Sequence, residues 1–344
     1  MNTDDYDYVL PERLIAQSPI PDRSASRMLV VDKQAQSWRH DQFAHLPQLL
    51  SPGDLLIAND SRVLPARLYG VKEATGAAIE LLLLRPHADG LWEVLARPGK
   101  RLKTGDVIAF GDGVLRATMQ EGGEQGTRIV AFSDLGEALE EQFERLGEMP
   151  LPPYIHEKLP DRERYQTVYA RAKGSVAAPT AGLHFTTEIL DSLRARGVAV
   201  EFLTLHVGLG TFRPVQVEHV EEHHMHAEFF SVPVSLLHKI EEVRGRGGRV
   251  LSVGTTTVRA LESAARAREQ AVQGMVSGWT DIFLYPGVPF LATDALLTNF
   301  HLPKSTLLML VSALSTRELM LDAYRAAVEA EYRFFSFGDA MLIW

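Results

Sequence analysis

The segment Gly197-Val-Ala-Val-Glu-Phe-Leu-Thr-Leu-His206-Val-Gly208-Leu-Gly210-Thr211-Phe212-Arg213 decides how the rest of the chain is read. In an extended segment, Val198, Val200, Phe202, Thr204 and His206 share one side, and Ala199, Leu203, Leu205 and Val207 share the other. Both sides are largely apolar. That pattern predicts a strand over 198–207 buried on both faces, as in a parallel sheet. A glycine-spaced turn follows its carboxyl end, where open α/β sheets bind ligands. Gly208, Gly210, Thr211 and Phe212 would let a substrate approach the backbone. A tight turn after a core strand is the plain alternative.

Outward from this strand, helix and strand alternate. Helical spacing predicts helices over Thr187–Arg196, Ser235–Arg246, Thr256–Arg268, Thr306–Leu314 and Glu318–Glu331. Strands are expected at Arg249–Val253 and Asp281–Leu284, with a last extended segment ending at Trp344. Near the amino terminus, a polar arm precedes a strand at Met28–Asp32, a helix near Phe43–Leu50 and a strand at Asp54–Ala58. Between these blocks the character changes. Ala66–Val71, Ala78–Leu84, Leu91–Ala96, Val107–Phe110 and Thr127–Phe132 are short runs separated by Gly, Asp and Pro turns, which predicts a small antiparallel β-barrel. A helix at Leu135–Leu146 and the Pro-rich connector 149–154 close it. The fold class is therefore α/β with two domains. Residues 1–62 and 155–344 form a discontinuous, mostly parallel α/β domain, and 63–154 form the inserted barrel.

Composition limits the function. With 344 residues, of which 46% are hydrophobic and 23% charged, the chain can bury a large core. Its longest apolar run, Leu307–Leu314, is far short of the roughly 20 residues of a membrane helix. The acidic start Met1-Asn-Thr-Asp-Asp lacks a secretory signal, so a cytoplasmic, membrane-free protein is expected. There is no cysteine, which excludes thiolate chemistry and Cys-ligated metals. The net charge of −9 argues against a coat of nucleic acid but permits a local basic surface. Lys100, Arg101 and Lys103 form such a surface on a hairpin of the barrel, opposed by the view that they are a solvated turn.

Several segments carry groups suited to chemistry. The small residues 174–182, with Thr180 and Gly182, lead into His184 and Phe185 ahead of a capped helix and permit close contact with a flat ligand. Gly254-Thr255-Thr256-Thr257-Val-Arg259 opens a helix after a strand, so its free N–H groups suit an anion. It lacks the Gly-Lys-Ser/Thr of a nucleotide-triphosphate loop. Asn299, His301 and Lys304 precede another helix and can meet a base edge or a phosphate. The run His219-Val-Glu-Glu-His223-His224-Met-His226 invites a metal site. It lacks the His-Glu-x-x-His order, so hydrogen bonding or packing is favoured.

Taken together, the motifs resemble one family. They are Tyr6-Asp-Tyr-x-Leu-Pro, Asn59-Asp-Ser-Arg-Val-x-Pro-Ala-Arg67, Met149-Pro-Leu-Pro-Pro-Tyr-Ile155, Ala178-Pro-Thr-Ala-Gly-Leu-His-Phe185, His206-Val-Gly-Leu-Gly-Thr-Phe212, Gly254-Thr-Thr-Thr-Val-Arg-Ala-Leu-Glu262, Thr298-Asn-Phe-His-Leu-Pro-Lys-Ser305 and Phe334-Phe-Ser-Phe-Gly-Asp339. In this order they resemble the S-adenosylmethionine:tRNA ribosyltransferase-isomerases of queuosine biosynthesis, over essentially the whole chain. The resemblance implies an α/β domain with an inserted barrel. It also implies an enzyme, a transferase-isomerase, that uses S-adenosylmethionine as a consumed ribosyl donor, with no cofactor and no metal. The acceptor is 7-aminomethyl-7-deazaguanine at the tRNA wobble position. The products are epoxyqueuosine-tRNA, adenine and methionine.

That chemistry needs proton acceptors and donors near neutrality, which favours His184, His206 and His301. Gly254, Thr255, Thr256 and Thr257 are expected at the methionine carboxylate or another anion. Phe185 and Phe212 are expected to stack on a base, and Arg259 and Lys304 to meet phosphate or carboxylate. tRNA is the expected partner, with no stable protein partner. The rival readings are a His-ligated metallohydrolase, a non-catalytic RNA-binding protein and an ordinary methyltransferase.

Overall fold

The computed structural model describes residues 1–87, 90–123, 126–157, 159–208, 215 and 217–344. The chain divides into two units. One comprises Met1–Ser61, Pro153–Ala172 and Ala178–Trp344, the other Arg62–Pro152 and Lys173–Ala177.

The first unit is built on one sheet. Its strands are β1 (Arg27–Asp32), β2 (Ser37–Gln42) and β3 (Leu55–Asn59), and, after the second unit, β12 (Ala199–Leu205), β13 (Glu228–Pro233), β14 (Val250–Val253), β15 (Met275–Thr280), β16 (Ala295–Asn299) and β17 (Ala340–Ile343). Their order is β15-β13-β12-β3-β14-β16-β17-β1-β2. The centre, β12-β3-β14-β16, is parallel, as is the β17-β1 pair, whereas β16-β17 and both outer margins are antiparallel. β3, β14 and β16 are buried along their whole length because both faces are covered. Leu29, Val31, Leu296, Met341 and Ile343 point to one core, with α5 (Thr255–Arg266), α6 (Thr306–Leu314) and α7 (Arg317–Glu329). Met28, Val30, Leu251, Leu297 and Leu342 point to the other, with α1 (Leu46–Leu49) and α3 (Thr187–Ala195). α4 (Val234–Gly245) joins β13 to β14.

Two expectations are corrected here. β12 is not buried on both faces: Leu203, Leu205 and Val207 are buried, but Val200, Phe202, Thr204 and His206 are only half-buried. The open face is covered in part by Tyr169, whose ring lies 5.1 Å from that of Phe202. The strand expected at Asp281–Leu284 is irregular chain. The flanking strands are β15, before it, and β16, after it.

The second unit contains β5 (Arg67–Lys72), β6 (Ala78–Pro86), β7 (Leu91–Arg97), β8 (Val107–Phe110), β9 (Leu115–Met119) and β10 (Arg128–Phe132), closed into an antiparallel barrel in the order β10-β7-β6-β5-β8-β9. Leu81, Leu83, Val94, Ile108, Leu115 and Val130 fill its interior. α2 (Gly136–Leu146) lays Phe143 edge-on against Trp92 and Phe132. β4 (Ser61–Val63) and β11 (Ala172–Ser175) pair where the chain enters and leaves this unit, so Lys173–Ala177 cluster with the barrel. The basic segment 97–103 is not a hairpin. β7 and β8 are not neighbours, so the segment crosses between strands through a 3-10 turn at Gly99–Arg101.

Candidate active site

The four central strands run in parallel, so their carboxyl ends share one edge of the sheet, the edge at which such sheets bind ligands. In sheet order it carries His206 after β12, Asn59 and Asp60 at β3, Gly254–Thr257 after β14, and Asn299–His301 at β16. β17 places Ala340 opposite both Asn299 and Met28 of β1. The amino ends of β17 and β1 therefore reach the same edge, adding Ser336–Asp339 and Arg23–Ser26.

Asn59 ties this edge together. Its Nδ2 donates to the Leu205 carbonyl at 2.9 Å and to Thr256 Oγ1 at 3.3 Å, while Oδ1 accepts from the N–H groups of Leu205 and Ser61. Asp60 is buried and accepts from the Thr204 hydroxyl at 2.7 Å and from Arg171 Nε at 2.5 Å. The sequence reading passes over Asn59, Asp60 and Arg171 as site residues. The available signal is a polar pair closing the apolar run Leu55–Ala58.

The three histidines differ. His184 is buried beneath Phe43, with Nδ1 2.7 Å from Ser26 Oγ and Nε2 3.2 Å from Asn299 Oδ1. Asn299 Nδ2 donates to the carbonyls of Phe335 and Ser336, which fixes the amide and turns Oδ1 to the ring. Nε2 therefore carries the hydrogen and Nδ1 accepts from Ser26. Burial pulls the pKa of His184 down to about 4, against the pull of the Asn299 bond, so the ring is neutral at pH 7. His301 is also buried, with Nε2 2.9 Å from Thr298 Oγ1, and burial pulls it down to about 3. Its main chain is held by the Tyr8 and Tyr324 hydroxyls. His206 is half-buried and stacked on Phe229, and burial lowers its pKa against the opposing charge of Asp60. Among the described residues its Nδ1 is buried without a hydrogen-bond partner.

Other expected site residues turn out to serve the protein itself. Phe185 is fully buried, edge-on to Phe43, and has no free face for a ligand. Thr180 and Gly182 lie in a 3-10 turn, Thr180–His184. A Cβ on Gly182 would collide with the Tyr169 hydroxyl and Thr167, so this glycine admits a tyrosine of the chain rather than a ligand. Arg259 is buried in an ion pair with Glu228 and also donates to the carbonyls of Thr280 and Ile282. Glu228 in turn accepts from the Gly208 N–H at 2.8 Å. Arg259 thus braces the start of the glycine turn and is not available to an anion. Lys304 binds Asp4 at 2.8 Å and Asp7 at 3.2 Å, which raises its pKa and fastens the amino-terminal arm.

Gly254, at φ 84°, takes a left-handed conformation that starts α5 without a side-chain cap. Thr257 spends its hydroxyl on the Val253 carbonyl, Thr256 accepts from Asn59, and Thr255 is nearly buried. Gly210, Thr211 and Phe212 lie outside the described residues. Lys100, Arg101 and Lys103 are exposed in the barrel unit. Of the histidine run, His219, His224 and His226 are exposed and His223 lies edge-on to Phe283. Among the described residues no group of three or more His, Asp and Glu is arranged to hold a metal ion.

A mixed α/β sheet with buried polar networks at the ends of its parallel strands, and a separate closed barrel in the same chain, define a two-unit α/β protein with an inserted β-barrel. The comparisons agree, and the chain belongs to the queuosine biosynthesis protein family, whose sequence profile matches residues 3–343. It is similar to the crystal structure of an S-adenosylmethionine tRNA ribosyltransferase from Thermotoga maritima, with 40% identity, 99% of this chain and 100% of that chain covered, and a TM-score of 0.57.

Proposed function

We propose that this chain transfers and isomerises the ribosyl group of S-adenosylmethionine onto 7-aminomethyl-7-deazaguanine at the tRNA wobble position, releasing adenine and methionine. The observation that carries the reading is the family match over residues 3–343, which takes in both units. S-adenosylmethionine is a consumed substrate, and neither a cofactor nor a metal enters the reaction. The sulfonium acidifies the adjacent C5′ protons, and the aminomethyl group must attack as a neutral amine. Both steps need an acceptor for a proton.

His206 suits that task best, because its Nδ1 is unpartnered and the ring is neutral at pH 7. His184 and His301 have their lone pairs or N–H groups engaged by Ser26, Asn299 and Thr298, so they act as positioning residues that hold the edge in one arrangement. The N–H groups at Gly254–Thr257 would receive the methionine carboxylate or another substrate anion, and Phe212 is the stacking candidate. Lys100, Arg101 and Lys103 would meet the tRNA backbone. Among the described residues, no helix is long and apolar enough to cross a membrane, in keeping with action in the cytoplasm, where tRNA is.

The test is a product assay without added metal. The protein is incubated with S-adenosylmethionine and an anticodon stem-loop carrying 7-aminomethyl-7-deazaguanine, and both fractions are analysed by mass spectrometry. Free adenine and methionine with epoxyqueuosine in the RNA is the expected result. S-adenosylhomocysteine as product, or intact S-adenosylmethionine, refutes it.

A further inference from the structure

Beside His184 the sheet edge opens into a small cleft. Its polar lining is Arg23, Ser26, Arg164, His184 and Ser336. The two arginines are placed oddly for a structural role. Arg23 donates to the carbonyls of Leu183 at 3.1 Å and Glu163 at 2.8 Å. Arg164 donates to the carbonyls of Pro21 and Ile20. Among the described residues, neither forms an ion pair with a carboxylate, and Arg164 Nε is buried with no hydrogen-bond partner.

Burial and the neighbouring Arg164 both lower the pKa of Arg23, and the carboxylates of Asp161 and Glu163 offset this only in part. The carboxylate within range of His184, Asp339, is already committed to Arg27 and to the Arg333 N–H. Two half-buried guanidinium groups facing one cleft, with only carbonyls to satisfy them, are a costly arrangement unless an anion completes it. Guanidinium forks match planar or tetrahedral oxyanions. The cleft is far smaller than a site for a whole ligand, so it suits a single charged group of a larger molecule.

We propose that the cleft formed by Arg23, Arg164, Ser26 and Ser336 is an oxyanion site, taking either an RNA phosphate or an amino-acid carboxylate. The proposal deepens the function argued above, since both of its substrates carry such a group. His184 walls the site as a neutral ring and leaves the positive charge to the arginines.

The first experiment uses wild-type protein with ¹⁵N-labelled arginine. The Nε–Hε resonance of Arg164, assigned by its loss in Arg164→Lys, is followed while inorganic phosphate is added, with chloride at equal ionic strength as control. A saturable shift with phosphate and none with chloride is expected. The absence of a saturable shift overturns the proposal. Competition then separates the sources: displacement of phosphate by S-adenosylmethionine marks a carboxylate site, and displacement by the stem-loop RNA marks a phosphate site. In Arg164→Gln, the matching affinity should fall about tenfold, or the salt slope of RNA binding by about one. No change in either quantity in a folded variant also refutes the site. Turnover is read separately, so a silent Arg164 resonance in an active enzyme sinks only the cleft. A phosphate-dependent shift in an inactive protein sinks only the proposed reaction.

Discussion

Lowering the pH from about 8 to about 5 should cost this protein about 4 kcal/mol of stability through two side chains, His184 and His301. Both are buried and neutral, with pKa values of about 4 and about 3 against an ordinary 6.5. A histidine whose pKa is depressed in the folded state binds its proton more tightly when unfolded. Its contribution is therefore fully present above pH 6.5 and drains away as the pH falls toward the folded value. At pH 5 the unfolded imidazole is almost fully protonated and the folded one almost fully neutral. Each group then loses about 2 kcal/mol, at 1.36 kcal/mol per unit of pH below about 6.5.

His206 and His223 act in the same direction, so the sum is a lower bound. Carboxylates held low by their partners, such as Asp54 beside Arg249, start from an ordinary value of 3.8 and titrate mostly below this window. Urea unfolding followed by tryptophan fluorescence at pH 8, 7, 6 and 5 gives the stability curve. The decisive quantity is the difference from His301→Gln, which keeps an amide near Thr298 but cannot protonate. Its loss between pH 8 and 5 should be about 2 kcal/mol smaller than that of the wild type. Parallel curves for the two proteins would refute the reasoning, whatever their absolute stability.

Other consequences concern the residues whose expected roles moved. Arg259→Met strands the Glu228 carboxylate in the core and should cost about 3–5 kcal/mol, read as a fall in Tm, while adding Glu228→Gln should recover part of the loss. Gly182→Ala forces a methyl against the Tyr169 hydroxyl and should cost about 1–3 kcal/mol. Tyr169→Phe removes that hydroxyl, which has no hydrogen-bond partner among the described residues, and should leave Tm unchanged alone and recover part of the Gly182→Ala loss in combination, the Thr167 methyl remaining in the way. Replacing Lys100, Arg101 and Lys103 together by Gln should weaken stem-loop binding and flatten its salt dependence by about two to three, measured by titration at several salt concentrations. An unchanged slope removes the barrel segment from the RNA interface.

The elements that sequence made legible are those whose pattern is local. α6 is helical over Thr306–Leu314 as its apolar spacing requires, and the barrel strand Val107–Phe110 falls where its short run between turns places it. β2 escaped because Ser37-Trp-Arg-His-Asp-Gln is exposed along an edge and carries no apolar alternation. β16 escaped for a different reason: its last residues, Thr298 and Asn299, belong to the motif that reads as leading into α6. In the site, the motifs pointed to the right edge of the sheet but not to the partners. Nothing local announces that Arg259 will meet Glu228, or that Lys304 will meet Asp4. A charged residue in a motif is equally compatible with a ligand and with a carboxylate far away in the chain, and only the fold decides between them. Asn59 was overlooked because an amide that binds backbone on two strands looks, in sequence, like any turn residue.

The mixed topology explains how the edge comes to include both ends of the chain. In an all-parallel sheet, β17 and β1 would present their carboxyl ends beside Asn299, and the segments before them would lie at the far edge. The reversal between β16 and β17 places Ala340 opposite Asn299, and the parallel pairing of β1 with β17 then brings Met28 alongside. Ser336 and Ser26, which precede these strands, arrive at the same edge. That geometry is what lets Asn299 bond the Phe335 carbonyl on one side and His184 on the other, with Ser26 closing the ring from beyond. The tautomer of His184 is thus set by residues from three distant parts of the chain. Replacing Asn299 by Asp would put a carboxylate against Nε2 and favour the protonated ring, raising the pKa of His184. The ¹⁵N shifts of its imidazole across pH 4–8 measure that directly, and a ring that titrates as in the wild type would show that the Asn299 contact does not govern its state.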